Sequence, residues 1–300
     1  MQRRACCWHC CRAAAPNALA DVSPLPRTTT ERDQLSSDRV LELLKFDGRR
    51  PIWSAPLFSE LHELAAHSER HLSPLAYPHA SADIALALRS VSPQLGGQNA
   101  SVAVFSSISP WIEVLLLRTG FHHVATYDYN PPLIQGEPRV TSRHANAEDA
   151  AGWLDLAVSF SGIEHDGLTR YGDPFDPEGD VAAIRQFACR LRTGGILLLG
   201  VPTGSPTRTI FPSFRLYGPD RVLQILGGAF DLLGHVWDGR EHASSLEDVR
   251  SAASGVLHGG GAAHIFPSYR GALNYPGVRH DWQFQPVLML RKREQGGARR

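Results

Sequence analysis

Apolar positions along the chain change their period near residue 100. Before it they recur at helical spacing. Leu57, Leu61 and Leu64 fall at i, i+4 and i+7, and Ile84, Leu88 and Val91 repeat that spacing. Pro51, Pro56, Pro74 and Pro78 cut the stretch into pieces. It reads as a helical preamble packed on a core. After residue 100 the apolar residues come in short runs instead. Residues 101–105 (SVAVF) predict a buried strand. Ser109 is placed to cap the next helix, with Pro110 at its first position, Glu113 in its first turn and Gly120 as a left-handed stop. Further strands are predicted over 123–127, ending at Asp128, and over 139–143 and 154–160. Asp180 is placed to cap a helix that turns Val181, Ile184, Ala188 and Leu191 to one face. Residues 196–201 are apolar throughout, as in a strand covered on both faces. A helix over 221–226 and strands over 232–237 and 286–290 complete the pattern.

Strands alternating with helices across short connections mean right-handed βαβ units. The predicted fold is α/β, a doubly wound, mostly parallel Rossmann-like sheet over residues 95–295. The helical preamble spans 36–94, and a leader spans 1–35. Residues 240–284 are Gly-rich and read as an irregular insertion, which includes His258-Gly259-Gly260-Gly261.

Composition narrows the class. The chain has 300 residues, 43% of them hydrophobic, enough for a sizeable core. Its 30 Lys and Arg balance 30 Asp and Glu, which argues against a partner held by phosphate neutralisation, so no nucleic acid is expected. No apolar run has the length of a membrane span. Cys6, Cys7, Cys10 and Cys11 crowd the N-terminus, and Cys189 alone lies in the body. A disulfide-stapled fold would spread its cysteines, so a cytoplasmic location is expected. Arg3, Arg4 and Arg12 precede the first acid, Asp21, which makes the location organellar if residues 1–20 are a transit peptide. Zinc on the cysteine cluster is disfavoured, since vicinal pairs on so short a segment close awkward rings.

In an open parallel sheet, ligands sit beyond the carboxyl ends of the strands. That draws attention to the loop after the first strand (Ser106, Ser107), to Asp128 and to the segment from Ser159 onward. An acid some 20 residues after the first loop is placed to accept hydrogen bonds from ribose hydroxyls. No G-x-G-x-x-G follows the first strand and no phosphate loop occurs elsewhere. A nucleoside without a pyrophosphate suits this serine loop, and S-adenosylmethionine is such a molecule.

Several motifs carry a resemblance to a known family. They are Ser107-x-x-Pro110-Trp111-x-Glu113, residues 127–130 (YDYN), residues 159–174 (SFSGIEHDGLTRYGDP), Gly179-Asp180, Gly200-Val201-Pro202-x-Gly204 and Arg215-x-Tyr217-Gly218. Over about residues 50–290 the sequence resembles domain of unknown function 268, a family similar to class I S-adenosylmethionine-dependent methyltransferases. The resemblance implies that fold and that cofactor. Glu164-His165 is similar to a short element at the active-site mouth of such enzymes, and residues 191–195 (LRTGG) to their common turn. Ser106 departs from the family, where a glycine commonly precedes the second serine.

The expected cofactor contacts are Ser106, Ser107, Asp128, Asn146 and Ser159. The expected catalytic set is Glu164, His165, Asp166, Arg170 and Tyr171. His165 is the natural general base, Glu164 or Asp166 orients it, and Arg170 offers a fork to an anionic acceptor group. A metal at Glu164, His165, Asp166, Asp173 and Asp176 is disfavoured, because adjacent residues on one loop cannot all converge. The expected function is methyl transfer to a small or glycan-like acceptor. The alternative is a catalytically inactive, methyltransferase-like binding or scaffolding protein.

Overall fold

The computed structural model describes residues 39–69, 72–73, 77, 79–255, 265–274 and 278–294. The leader, with its four cysteines and candidate transit peptide, and His258-Gly259-Gly260-Gly261 lie outside the described residues. The chain opens with β1 (Lys45–Asp47), β2 (Arg50–Trp53), α1 (Ala55–His67) and α2 (Ala80–Val91). Then follow β3 (Val102–Phe105), α3 (Trp111–Thr119), β4 (Val124–Asp128), β5 (Leu133–Ile134), β6 (Val140–His144), β7 (Leu154–Phe160), α4 (Gly179–Arg190) and β8 (Leu191–Gly200). The last third adds β9 (Arg208–Ile210), β10 (Phe214–Leu216), α5 (Pro219–Leu226), β11 (Phe230–Trp237), β12 (Arg240–His242), α6 (Leu246–Ala253) and β13 (Val287–Lys292).

Eight strands form the central sheet in the order β12-β11-β13-β8-β7-β3-β4-β6. The pairings among β6, β4, β3, β7 and β8 are all parallel. They wind outward in both directions from β3, as in the doubly wound folds, so the switch point lies between β3 and β7. β13 inserts antiparallel between β8 and β11. Both faces are covered. Val102 and Val104 of β3 pack under α1, α2 and α3, while Ala103 and Phe105 pack on the side of α4 and α5. This explains why the strands read as continuous apolar runs.

The predicted strands are present with edges shifted by one or two residues, except for β8. It begins at Leu191 rather than at 196, so residues 191–195, expected as a turn, and Leu191, expected on the helix before it, lie in the strand. Gly120 closes α3 at φ 107°. The helix starts differ from expectation. Pro110, not Ser109, is the N-cap of α3, and the Ser109 hydroxyl has no partner. Glu178, not Asp180, stands at the N-cap position of α4, without a side-chain cap bond. Asp180 sits wholly buried in the first turn, where Arg221 donates to both its carboxylate oxygens. A charged partner from another element outcompetes the local cap. The preamble holds a hairpin as well as helices. β1 and β2 pair antiparallel about Gly48, and β2 extends in parallel onto β5. Pro51 sits in that strand, opposite Phe46. Trp53 is fully buried and its Nε1 donates to the Ile108 carbonyl at 2.9 Å, which ties the preamble to the loop after β3. The expected irregular insertion contains β12 and α6, the latter begun by a Ser245–Asp248 capping box. Cys189 on α4 is disulfide-bonded. No described helix is long and apolar enough to cross a membrane.

Candidate active site

Two serines with left-handed backbones flank the switch point. Ser106, directly after β3, has φ 63°, and Ser161, directly after β7, has φ 51°. This region of backbone space favours glycine, so each turn is held by its surroundings. Ser106 donates its N–H to the Tyr127 carbonyl at 2.8 Å. Ser161 donates its N–H to the Gly200 carbonyl at 2.9 Å. Gly162 completes the contact, because a Cβ there would lie 2.6 Å from Ser106 Cβ and 3.2 Å from Ser159 Oγ. Ser106, Ser159 and Gly162 therefore meet at the carboxyl ends of β3 and β7. Ser159 is wholly buried and its hydroxyl has no partner.

The other expected cofactor residues are less uniform. Ser107 is buried, but its hydroxyl donates to the Ser109 carbonyl at 2.9 Å and approaches Glu113 Oε2 at 3.2 Å. That side chain is spent inside the protein. Asp128 ends β4 as expected. One oxygen accepts from the Asn130 N–H at 2.7 Å, and burial pushes the carboxyl up to about 6. Asn146 lies in the exposed turn after β6, which is two strands from the switch point. The structure does not bring it to the serines.

A network that the sequence did not disclose centres on Ser161 Oγ. It donates to Glu164 Oε1 at 2.6 Å. Gln285 Nε2 donates to it at 3.2 Å, and the Tyr77 hydroxyl lies 2.5 Å away. Tyr77 comes from the preamble and packs edge-on against Phe160 and Trp282. Gln285 comes from the segment before β13. Elements from three distant parts of the chain thus converge on one hydroxyl. Only Ser161 lay within a visible motif, and no short-range spacing could have linked it to the other two.

Glu164 is almost fully buried on the short turn after β7, and its Oε2 has no partner. Burial pushes its carboxyl up to about 7 against the opposing help of the Ser161 hydroxyl. His165 is held by its neighbours in a neutral form. Its Nδ1 donates to the Ser213 carbonyl, which leaves Nε2 as the lone-pair nitrogen. Burial pulls the imidazole down to about 4, so it stays neutral near pH 7. Nε2 lies 3.6 Å from Glu164 Oε1, and this contact is not an ion pair while the ring is neutral. Desolvation has thus reversed the proton affinities that free side chains would show. The carboxyl, rather than the imidazole, titrates near neutrality.

The rest of the loop is held from within. Asp173 is buried and accepts from the Thr169 and Tyr171 N–H groups. Arg215 donates to the carbonyls of Asp166, Asp176 and Pro177 from a buried position. Asn130 Nδ2 donates to the Tyr171 carbonyl, which joins the β4 loop to the β7 loop. The Tyr171 ring lies edge-on to His165 at 5.3 Å, and the Arg170 guanidinium sits 5.6 Å from its centroid. Arg170 therefore spends part of its charge on Tyr171. Burial raises Asp166 well above the usual carboxylate range, with Asp173, Glu164 and Asp128 adding repulsion. The site is rich in carboxyl groups, several of which hold protons near neutrality. Among the described residues, no group of three or more His, Cys, Asp or Glu is disposed to hold a metal ion.

Residues 99–257, just over half of the chain, match the family described as Caenorhabditis protein of unknown function, DUF268. The chain belongs to this family. It spans the sheet from β3 to α6 and includes both serine turns, the Glu164 loop and Arg215. No curated protein matches the chain. Among solved structures it is similar to the 1,6-didemethyltoxoflavin-N1-methyltransferase of Burkholderia thailandensis, crystallised with S-adenosylhomocysteine. Identity is 14%, TM-score 0.41, and coverage 94% of this chain and 100% of that one. It is also similar to the N-methyltransferase NodS of Bradyrhizobium japonicum WM9, at 12% identity and TM-score 0.42 over 79% of this chain and 98% of that one. The [4+2]-cyclase SpnF is similar at 14% identity and TM-score 0.43, over 91% of this chain and 99% of that one. The fold assignment rests on the sheet order rather than on these likenesses.

Proposed function

We propose that this DUF268 protein is an S-adenosylmethionine-dependent methyltransferase acting on a hydroxyl or amine of a small acceptor. The observation that carries the reading is Asp128. It is a desolvated carboxylate with one internal donor, at the end of the strand next to the switch point. Ribose hydroxyls would supply the missing donors. The residues present fit such a cofactor. Asp128 would hold the ribose, and the unpartnered Ser159 hydroxyl and the Ser106 turn would line the methionine end. Asn146 would serve only if its turn folds inward. When bound, the cofactor would supply a sulfonium methyl group, whose carbon an acceptor oxygen or nitrogen would take in line as the S–C bond breaks and S-adenosylhomocysteine leaves.

The chain's own residues would prepare the acceptor. Glu164 Oε2 is the free, buried oxygen of a carboxyl whose proton affinity is set near neutrality. It is the better placed general base, taking the acceptor's proton as its bond to the methyl group forms. His165 then acts as a neutral orienting group, fixed by the Ser213 carbonyl. Ser161, itself held by Tyr77 and Gln285, donates to Glu164 Oε1, which leaves Oε2 as the oxygen for the acceptor. The charges of Asp128 and Asp173 disfavour an anionic acceptor, and Arg170 lies over the Tyr171 ring.

A second reading has a specific observation of its own. Ser106 packs closely against Gly162 where the cofactor's methionine end would lie. This favours the catalytically inactive, methyltransferase-like binding or scaffolding protein. Incubating the purified chain with S-adenosylmethionine and small-molecule extract, and following S-adenosylhomocysteine release, separates the two. Release that falls about 100-fold or more in Glu164→Gln supports the enzyme. No release above that of Glu164→Gln supports the inactive protein.

A further inference from the structure

We infer that Phe175 and Phe211 form a rim subsite on which a neutral sugar ring of the acceptor stacks. This rests on the methyltransferase reading and names its acceptor class. The two phenyl rings are each 61% exposed, more than any other large hydrophobic side chain among the described residues. They touch edge to face, with centroids 5.8 Å apart at 84°. Ile210, also exposed, adjoins Phe211 in the chain. Single exposed aromatics are common, but a paired, exposed couple from two separate segments is a surface feature that binding sites use.

Both segments are fixed to the candidate site. Phe211 sits in the β9–β10 hairpin, two residues from Ser213, whose carbonyl holds His165. Arg208 of that hairpin is clamped by Asp281. Phe175 lies two residues beyond Asp173, whose carboxylate ties down Thr169 and Tyr171. The next residue, Asp176, donates its N–H to the Gly167 carbonyl. The pair therefore stands at a defined place beside the Glu164 loop.

The chemistry of the deeper groups selects the occupant. Glu164 Oε2 and Gln285 Oε1 are buried oxygens without donors, and both residues also bond Ser161. They call for O–H or N–H groups. Asp128 and Asp173, the charges that push Asp166 up, disfavour carboxylates and phosphates. A pyranose meets both demands. Its hydroxyls donate, and its weakly positive C–H face suits the negative face of an aromatic ring.

Saturation-transfer NMR on the full chain tests this, with the methyl pyranosides of glucose, galactose and mannose as probes and glucuronate and tetramethylammonium as controls. Ring C–H protons of at least one neutral pyranoside should saturate. Its affinity should fall about 5-fold in Phe175→Ala and in Phe211→Ala. The melting temperature should not move, since both side chains are exposed. Absence of saturation for every pyranoside, equal affinity in both variants, or preference for either control overturns the subsite. Titrating S-adenosylhomocysteine into the same preparations separates the two claims. Cofactor binding without pyranoside binding sinks the subsite alone. Pyranoside binding without cofactor binding sinks the methyltransferase reading and leaves the subsite standing.

Discussion

Ser106 and Gly162 face each other so closely across the switch point that a Cβ on Gly162 would lie 2.6 Å from Ser106 Cβ. The relationship makes each residue's identity depend on the other. Gly162→Ala should cost about 1–3 kcal/mol of stability through overpacking. Ser106→Gly should stabilise by about 1 kcal/mol, since it releases a left-handed L-residue at φ 63°. In the double variant the two changes should couple favourably, because the added methyl group finds the space that the serine left. Denaturant unfolding of the four proteins checks this. Strict additivity would show that the loops are not in contact.

Ser161 should control the proton affinity of Glu164. Its hydroxyl favours the ionised carboxylate, against burial. Ser161→Ala should therefore raise the Glu164 midpoint above its value of about 7. Tyr77→Phe should leave it nearer the wild type, since Ser161 still donates. Carbon-detected NMR titration of the glutamate side chains reads both. A midpoint that falls in Ser161→Ala would contradict the network.

Stability should fall as pH rises from 5 to 8. Burial pushes Asp83, Glu113 and Glu164 up to about 7 and Asp128 to about 6. The folded chain thus keeps protons that the unfolded chain has released above about pH 4, and that stabilisation is lost as pH passes through 6 to 7. His165, pulled down to about 4, acts in the opposite sense below pH 6.5, as does His62. The raised carboxyls outnumber them. Urea unfolding should give a higher midpoint at pH 5 than at pH 8. Asp83→Asn should reduce the difference without touching the site. A higher midpoint at pH 8 would contradict the assignment.

Arg215→Lys should destabilise by about 3 kcal/mol. The buried guanidinium spans three carbonyls of the Glu164 loop and its continuation, and an ammonium cannot span them all. A melting temperature within a degree of the wild type would show that the loop holds itself.

The sheet was legible because its strands are covered on both faces. Val102, Val104, Ile196 and Leu198 read as strand regardless of context. The β1–β2 hairpin was not, since Pro51, which propensity assigns to loop, sits buried in β2, the middle strand of the β1-β2-β5 sheet. In the site, Asp128, Ser106 and Ser159 lay where strand ends predict. Which of Glu164 and His165 is the better candidate base was not legible in the sequence, for a physical reason. Free-solution proton affinities order histidine above glutamate, and burial inverts that order. Tyr77 and Gln285 were hidden because their partner, Ser161, lies 84 and 124 residues away in the chain.

The central claim is that the strand ends beside Asp128 hold a nucleoside cofactor. Calorimetric titration of S-adenosylhomocysteine at pH 7.5 and pH 5.5 tests it most directly. Hydroxyl donors favour the ionised Asp128, whose carboxyl titrates near 6. Binding should therefore be tighter at pH 7.5, weaken at pH 5.5, and be lost or lowered at least 10-fold in Asp128→Ala. No binding by the wild type, or equal binding by Asp128→Ala at both pH values, would contradict the account.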